Sequence, residues 1–391
     1  MQPKNIQSYV PQPVDPVWKR WLAGALYHTG ALSVVRGLSR SFEVESRRGK
    51  RLRRVGGPRF AILRFHRVGT EGVPLYSILP PEVFEAQMRF LRRHYRLVSL
   101  EQLCAELQDP AARGQAVAVT IDDGYADTYH NAFPILKKYE IPATVFVIVD
   151  SIESGEVAWY DKVFLALKTY PGTTLEIELD QIQRFVLDSP RSRILAARDI
   201  NDWLRTVPDG RRREFCAAFE RRIPLPQAEM AGRMMNWDQV REMHRAGIAF
   251  GSHTLTHPAV SQLDEVGAEE ELFFSRQILE RQLGSPAPDF AFPFGMPADC
   301  GPHASAQLAG FGYRCAVTGS FGLNTPGANP HALRLFSFEN VRSLPVFAMN
   351  LSQAFCLMED SEPGSAEPVA AGDWPAAAES ATSSPVRNRH A

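Results

Sequence analysis

Three stretches of near-continuous apolar residues punctuate the first half of the chain, and each ends in a polar or turn-forming group. Phe60 to His66 (Phe-Ala-Ile-Leu-Arg-Phe-His), Ala116 to Ile121 and Pro142 to Val149 are the length of strands. Strands apolar on both faces are buried on both faces, the mark of a parallel sheet covered by helices. Between them the period changes. Pro81 to Tyr95 places Val83, Phe84, Met88 and Leu91 at helical spacing, and Tyr129 to Tyr139 reads the same way. Strand, helix, strand is the rhythm of an α/β fold.

Residues 151–235 break the rhythm. Arginines and acidic residues are dense, and the apolar positions around Trp159 to Leu167 and Arg191 to Phe219 follow a helical period. This segment reads as a mostly helical insertion. The alternation then resumes: a helix over about Asp238 to Ala246, a strand at Ile248 to Phe250, and a long helix from about Ser261 to Leu283, with Gly284 at its stop. Strands at Phe290 to Pro293, Ala316-Val317 and Leu335 to Phe338 complete the pattern. The expected organisation is a lead-in over 1–57, an α/β unit over 58–150 and 236–345, the insertion over 151–235, and a disordered Ala/Ser/Pro/Glu-rich tail over 358–391.

Composition changes the picture little. A formal net charge of −1 over 391 residues gives no field that would draw nucleic acid. Five scattered cysteines without a CxxC pair argue against a disulfide framework and for a reducing, cytoplasmic setting. The N-terminus has no charged segment followed by an apolar one, so no secretory signal is expected. Trp18 to Leu38 is apolar but interrupted by Lys19, Arg20, His28 and Arg36. It reads as an amphipathic helix, packed on the main body or lying at a membrane surface. The basic run Arg47 to Arg54 is a solvated linker or an anionic-lipid patch, which together with that helix makes peripheral membrane contact an expectation.

Three segments carry chemistry. Asp122 and Asp123 end a buried strand and precede Gly124. Adjacent carboxylates there are costly to bury without a positive partner, and C-terminal strand ends are where sites sit in parallel α/β folds. The plainer alternative is an Asp-Asp-Gly turn with one carboxylate capping a helix. His253 and His257, four residues apart in Gly-Ser-His-Thr-Leu-Thr-His-Pro, suit two imidazoles on one metal. Alone the pair is weak; with an aspartate it makes a facial set that leaves positions open for water and substrate. The third segment, Phe292-Pro293-Phe294-Gly295, is a plain strand and turn or an apolar wall with a backbone N–H aimed at the site.

In this order the three segments resemble the polysaccharide deacetylase family, the NodB-homology or carbohydrate esterase family 4 domain. Phe65 to Val68 and Asn236-Trp237 also resemble segments of bacterial exopolysaccharide members. The resemblance covers roughly residues 58–150 and 236–345 and implies a distorted (β/α)7 barrel that removes acetyl groups. It implies Asp122 as general base, Asp123, His253 and His257 as metal ligands, and the Phe294 N–H, beside Pro293, as oxyanion donor. The cofactor implied is a divalent ion, zinc first, with Co, Ni or Mn as alternatives. The partner implied is an N-acetylated glycan or lipid-linked sugar. Two departures stand out. Members often carry an arginine at the start of the third motif; here there is none, and Arg334 is the candidate substitute. The usual late histidine is also absent in its Leu-x-His form, leaving His331 and His66 as candidates. Alternatives are O-acetyl esterase action on xylan-like glycans and a non-catalytic glycan-binding module. Because the barrel supplies base and metal, the insertion is expected to be dispensable for a minimal acetylated sugar. Its aromatics Trp159, Tyr160, Phe164 and Trp203 would serve as sugar-facing surfaces or as its own core.

Overall fold

In the computed structural model the apolar runs become seven strands: β1 (Arg59–Phe65), β2 (Gln115–Ile121), β3 (Ala143–Val147), β4 (Ala249–Ser252), β5 (Asp289–Ala291), β6 (Cys315–Phe321) and β7 (Leu333–Ser337). The structure describes residues 17–29, 44–46, 53–55, 58–70 and 77–357. The strands close into one barrel in the order β4-β5-β6-β7-β1-β2-β3, and every pairing is parallel. The distorted (β/α)7 architecture follows from this closure. β1 to β3 are buried along almost their whole length because side chains fill the barrel inside and helices cover it outside.

The helices sit where local signals put them. α1 (Val17–His28) packs against α9 (Leu344–Leu357), and no described helix is long and apolar enough to cross a membrane. α2 (Pro81–His94) starts on a proline, whose missing N–H is no loss in a first turn. α3 (Leu100–Gln108) begins with a reciprocal capping box between Ser99 and Gln102. α7 (Trp237–Arg245) begins with another, between Asn236 and Gln239. The expected long helix runs from Glu265 to Leu283 and stops at Gly284, whose φ of 68° is left-handed. Its last part is α8 (Ser275–Leu283), and the turn Glu269–Phe274 before it is π-helical.

The 151–235 segment folds around a core of its own. It contributes α4 (Trp159–Thr169), α5 (Pro190–Leu204) and α6 (Asp209–Arg222). It also contains an antiparallel hairpin, Thr174–Glu178 with Ile182–Val186, so its content is less purely helical than its sequence suggests. Both ends are stitched to the barrel. On entry, the Ile148 N–H donates to the Asp123 carbonyl, and the Val149 and Asp150 N–H groups donate to the Thr254 and Leu255 carbonyls. On exit, Met235 N–H donates to the Gly124 carbonyl and Ala126 N–H to the Arg233 carbonyl. The expectations placed on the first 16 residues, on the basic run before Arg53 and on the 358–391 tail lie outside the described residues.

Candidate active site

The parallel register sets the site. Phe65 pairs with Ile121, so His66 and Asp122 leave neighbouring strands side by side, and the Asp122 N–H donates to the Phe65 carbonyl at 2.9 Å. His253 follows β4 and its N–H donates to the Val147 carbonyl, also at 2.9 Å. Asp122, Asp123, His253 and His257 are all buried.

The Asp123 Oδ1 lies 3.5 Å from His253 Nε2 and 3.6 Å from His257 Nε2. It has no hydrogen-bond partner in the protein although it is buried, and neither has His257 Nδ1. Ligand atoms each about 2.0–2.2 Å from a zinc-sized ion sit about 3–3.6 Å apart; both Asp123–histidine distances match this, and all three ligand atoms lie within 4.8 Å of one another, a set that could hold one divalent cation. His253 Nδ1 meets the Ala291 carbonyl at 2.7 Å, which fixes the ring and leaves Nε2 toward Asp123. Burial, followed by the charges of His253, His66 and Arg212, holds His257 well below the ordinary histidine range, the neutral form a ligand needs.

Asp122 is beside this trio, not part of it. Burial pushes its carboxyl up, against the charges of His253, His66 and Arg64, which favour ionisation. His66 approaches it, with Nε2 at 3.9 Å from Asp122 Oδ2. The other nitrogen of His66 makes a short contact with Glu339, which follows the end of β7. Burial works against the imidazolium, yet the Glu339 carboxylate outweighs it and raises His66 to about 9. His66 therefore carries its proton at neutral pH.

Two other sequence candidates are placed elsewhere. His331 Nε2 meets the Tyr313 carbonyl at 2.9 Å, near the start of β6 and so at the opposite end of the barrel from the site. Arg334 is the second residue of β7, below the strand end, and its backbone pairs with the Asn324 side chain. The arginine whose charge reaches Asp122 is Arg64 on β1, opposite Thr120 in the ladder. Arg64, Glu339 and Glu271 (below) were not singled out by the sequence. The strand-end rule that flags Asp122 applies equally to Glu339; nothing in the sequence marks Glu271.

The third segment forms a wall. Phe294 packs edge-on against His257, ring centroids 4.9 Å apart, with the Arg205 guanidinium over its ring. Its φ of 59° is left-handed, as are Asp123 at 75°, Thr254 at 66° and His257 at 65°. Of the five described non-glycine residues with positive φ, these four surround the site, and each such dihedral costs about 1–3 kcal/mol. Such a backbone persists only where its surroundings over-determine it.

The polysaccharide deacetylase family model matches residues 109–189 and 196–313, just over half of the chain and well into the 151–235 segment. The chain is a member of the polysaccharide deacetylase family. Two curated relatives are YxkH of Bacillus subtilis, a polysaccharide deacetylase by name, and the poly-beta-1,6-N-acetyl-D-glucosamine N-deacetylase of Staphylococcus epidermidis. They are 40% identical over 76 residues and 33% identical over 87 residues, or 19% and 22% of this chain. These matches span only 27% and 30% of the relatives' own lengths. Among solved structures, the Streptococcus pyogenes deacetylase PplD in complex with acetate superposes with a TM-score of 0.51 at 20% identity. That match covers 76% of this chain and 98% of PplD and supports the family's barrel fold.

Proposed function

We propose that this polysaccharide deacetylase family member hydrolyses acetyl groups from N-acetylated sugars of a polysaccharide or glycan precursor. The observation that carries the reading is the convergence of Asp123, His253 and His257 on one point, with Asp122 and a protonated His66 beside it. A divalent ion held by those three side chains, zinc first, would supply electrophilic pull on the acetyl carbonyl and make water easier to deprotonate. The remaining work belongs to the chain. Asp122, a carboxylate without a hydrogen bond at Oδ1, takes the proton of the attacking water. His66 delivers a proton to the departing amine, and Glu339 keeps it charged and aimed. The Phe294 N–H, after Pro293, is the proposed oxyanion donor. The substrate class is extended from relatives such as the staphylococcal N-deacetylase. Lipid-linked sugars, peripheral membrane contact and a cytoplasmic setting belong to the same proposal. For membrane contact the support is α1, which leaves Trp21 75% and Leu22 40% exposed.

The test is acetate release from N-acetylglucosamine oligomers and from acetyl-xylan, with and without chelator. Release from the oligomers is expected, abolished by chelation and restored by zinc. Asp122→Asn is expected to keep zinc and lose about 10²–10⁴ in rate, whereas His257→Ala loses zinc as well. Chelator-resistant release, or zinc lost from Asp122→Asn but kept by Asp123→Asn, would overturn the assignment. Faster release from acetyl-xylan would favour the esterase reading.

A further inference from the structure

The loop that carries the two histidines is held from outside the barrel. The Leu255 and Thr256 N–H groups donate to one oxygen of Glu271 at 2.9 and 2.8 Å, and the Thr256 hydroxyl donates to the other at 2.6 Å. Glu271 is completely buried and lies in the π-helical turn before α8. The Val149 and Asp150 N–H groups, just past β3, donate to the Thr254 and Leu255 carbonyls, and Phe294 packs on the His257 ring. Further contacts come from the insertion. Trp159 at the start of α4 donates its indole N–H to the carbonyl of His257 itself, at 3.1 Å. Tyr160 sets its ring edge-on to the His257 ring at 4.9 Å. Arg212 on α6 donates to the Thr256 hydroxyl oxygen at 2.8 Å, is paired with Asp209, and lies over the Trp159 ring. Arg213 spans Asp209 and Glu271.

We infer that Trp159 and Arg212 are positioning residues. They clamp the 253–257 loop in its left-handed conformation, so that the insertion completes the metal centre instead of merely covering it. The loop holds two left-handed non-glycine residues, Thr254 and His257, a strained conformation that persists only where its surroundings fix it. The bonds internal to it, His257 N–H to the Thr254 hydroxyl and Thr254 N–H to the Ser252 hydroxyl, number two. Together with the backbone bonds from Val149 and Asp150 they hold the Thr254 and Leu255 end, and none of them reaches the Thr256 side chain or the His257 carbonyl. Glu271, Trp159 and Arg212 hold the Thr256 and His257 end, and two of these three belong to the insertion. Without them the His257 ring keeps only neighbours such as Phe294 and the Thr254 hydroxyl to hold its Nε2 3.6 Å from Asp123. The inference rests on the metal reading above, so its test includes a measurement made without metal.

The full-length chain is compared with Trp159→Phe, Arg212→Met, Arg212→Lys and a control, Arg193→Met. Arg193 is also in the insertion but ties the end of α4 to its own connecting turn through the carbonyls of Leu167, Tyr170 and Gly172. In metal-free protein, hydrogen exchange of the peptide containing 253–257 should quicken in Trp159→Phe and Arg212→Met. It should quicken less in Arg212→Lys, which keeps a cation, and not at all in Arg193→Met. Zinc affinity, read by competition with a chromophoric chelator, should fall about 10- to 100-fold in the first two variants. Their kcat on an N-acetylglucosamine oligomer should fall while KM holds. Unchanged loop exchange in Trp159→Phe and Arg212→Met would overturn the clamp, as would equal changes in Arg193→Met. A wild-type chain that binds no zinc would defeat the metal reading, and the exchange measurement would still decide the clamp.

Discussion

At the scale of single residues, the arrangement divides the site into two groups of side chains. Asp123 faces two imidazole nitrogens, and Asp122 faces a third imidazole that is charged. Only one peptide bond divides them, yet Asp123 turns left-handed, so neighbouring side chains that would diverge on a strand share a cavity. The proton on His66 depends on Glu339, and this makes pH the probe. With His66 raised to about 9, a rate that requires its protonated form falls as pH rises through about 9. Glu339→Gln removes the charge that outweighs burial, so the alkaline limb should move to lower pH. An unmoved limb would take His66 out of proton delivery. Stability follows the same sign. His66 is raised above its ordinary 6.5, so its contribution is full below pH 6.5 and is lost as pH climbs through about 9. The metal-free melting temperature should drop across that window, and Glu339→Gln should flatten the drop.

At the scale of elements, what was legible follows from periodicity. The runs at 60–66, 116–121 and 142–149 are apolar on both faces, and they fold as β1, β2 and β3. The Asp-Asp and His-His segments were found because chemistry gathers at strand ends. The 174–186 hairpin was missed although Leu175 and Ile177 alternate inward against exposed Thr174, Glu176 and Glu178. Five residues of alternation carry little signal inside a charged helical stretch. Sequence cannot show what the clamp needs either, since Trp159 and His257 lie 98 positions apart. Gly295 offers a test of one element. At φ 74°, a Cβ there would sit 2.4 Å from the Gly319 nitrogen on β6, whereas Gly114, at φ 82°, has nothing within 4 Å. Gly114→Ala should therefore show only the dihedral cost, about 1–3 kcal/mol at most. Gly295→Ala should cost more, measured as a larger fall in urea midpoint at constant slope. It should also weaken zinc binding, because Phe294 packs on His257. Equal costs would mean that the β6 contact yields freely.

At the scale of the whole molecule, the expectation that 151–235 is dispensable for a minimal substrate conflicts with the way it is attached. Its core takes in Tyr125 and Ile148 from the barrel side, and Trp159, Tyr160 and Phe164 are buried within it, not presented to a sugar. Only Trp203 is partly open, and Phe215 and Arg211 cover it. Replacing 151–235 with a short linker should therefore, in chains that fold, depress turnover on N-acetylglucosamine and on its oligomers alike, with weak zinc binding. Loss confined to the oligomers would restore the reading of an insertion dispensable for a minimal sugar.

The closure of the barrel has a consequence in time. β7 seals the ring by pairing Phe336 with Leu63, and the His66–Glu339 pair joins residues 273 positions apart. Contacts of such separation are slow to form, because the loop entropy is lost before the contact repays it. On the ribosome, Asp123, His253 and His257 emerge well before Glu339, whose carboxylate contacts His66. One edge of β1 therefore has no partner in the nascent chain until β7, the last barrel strand, has been made.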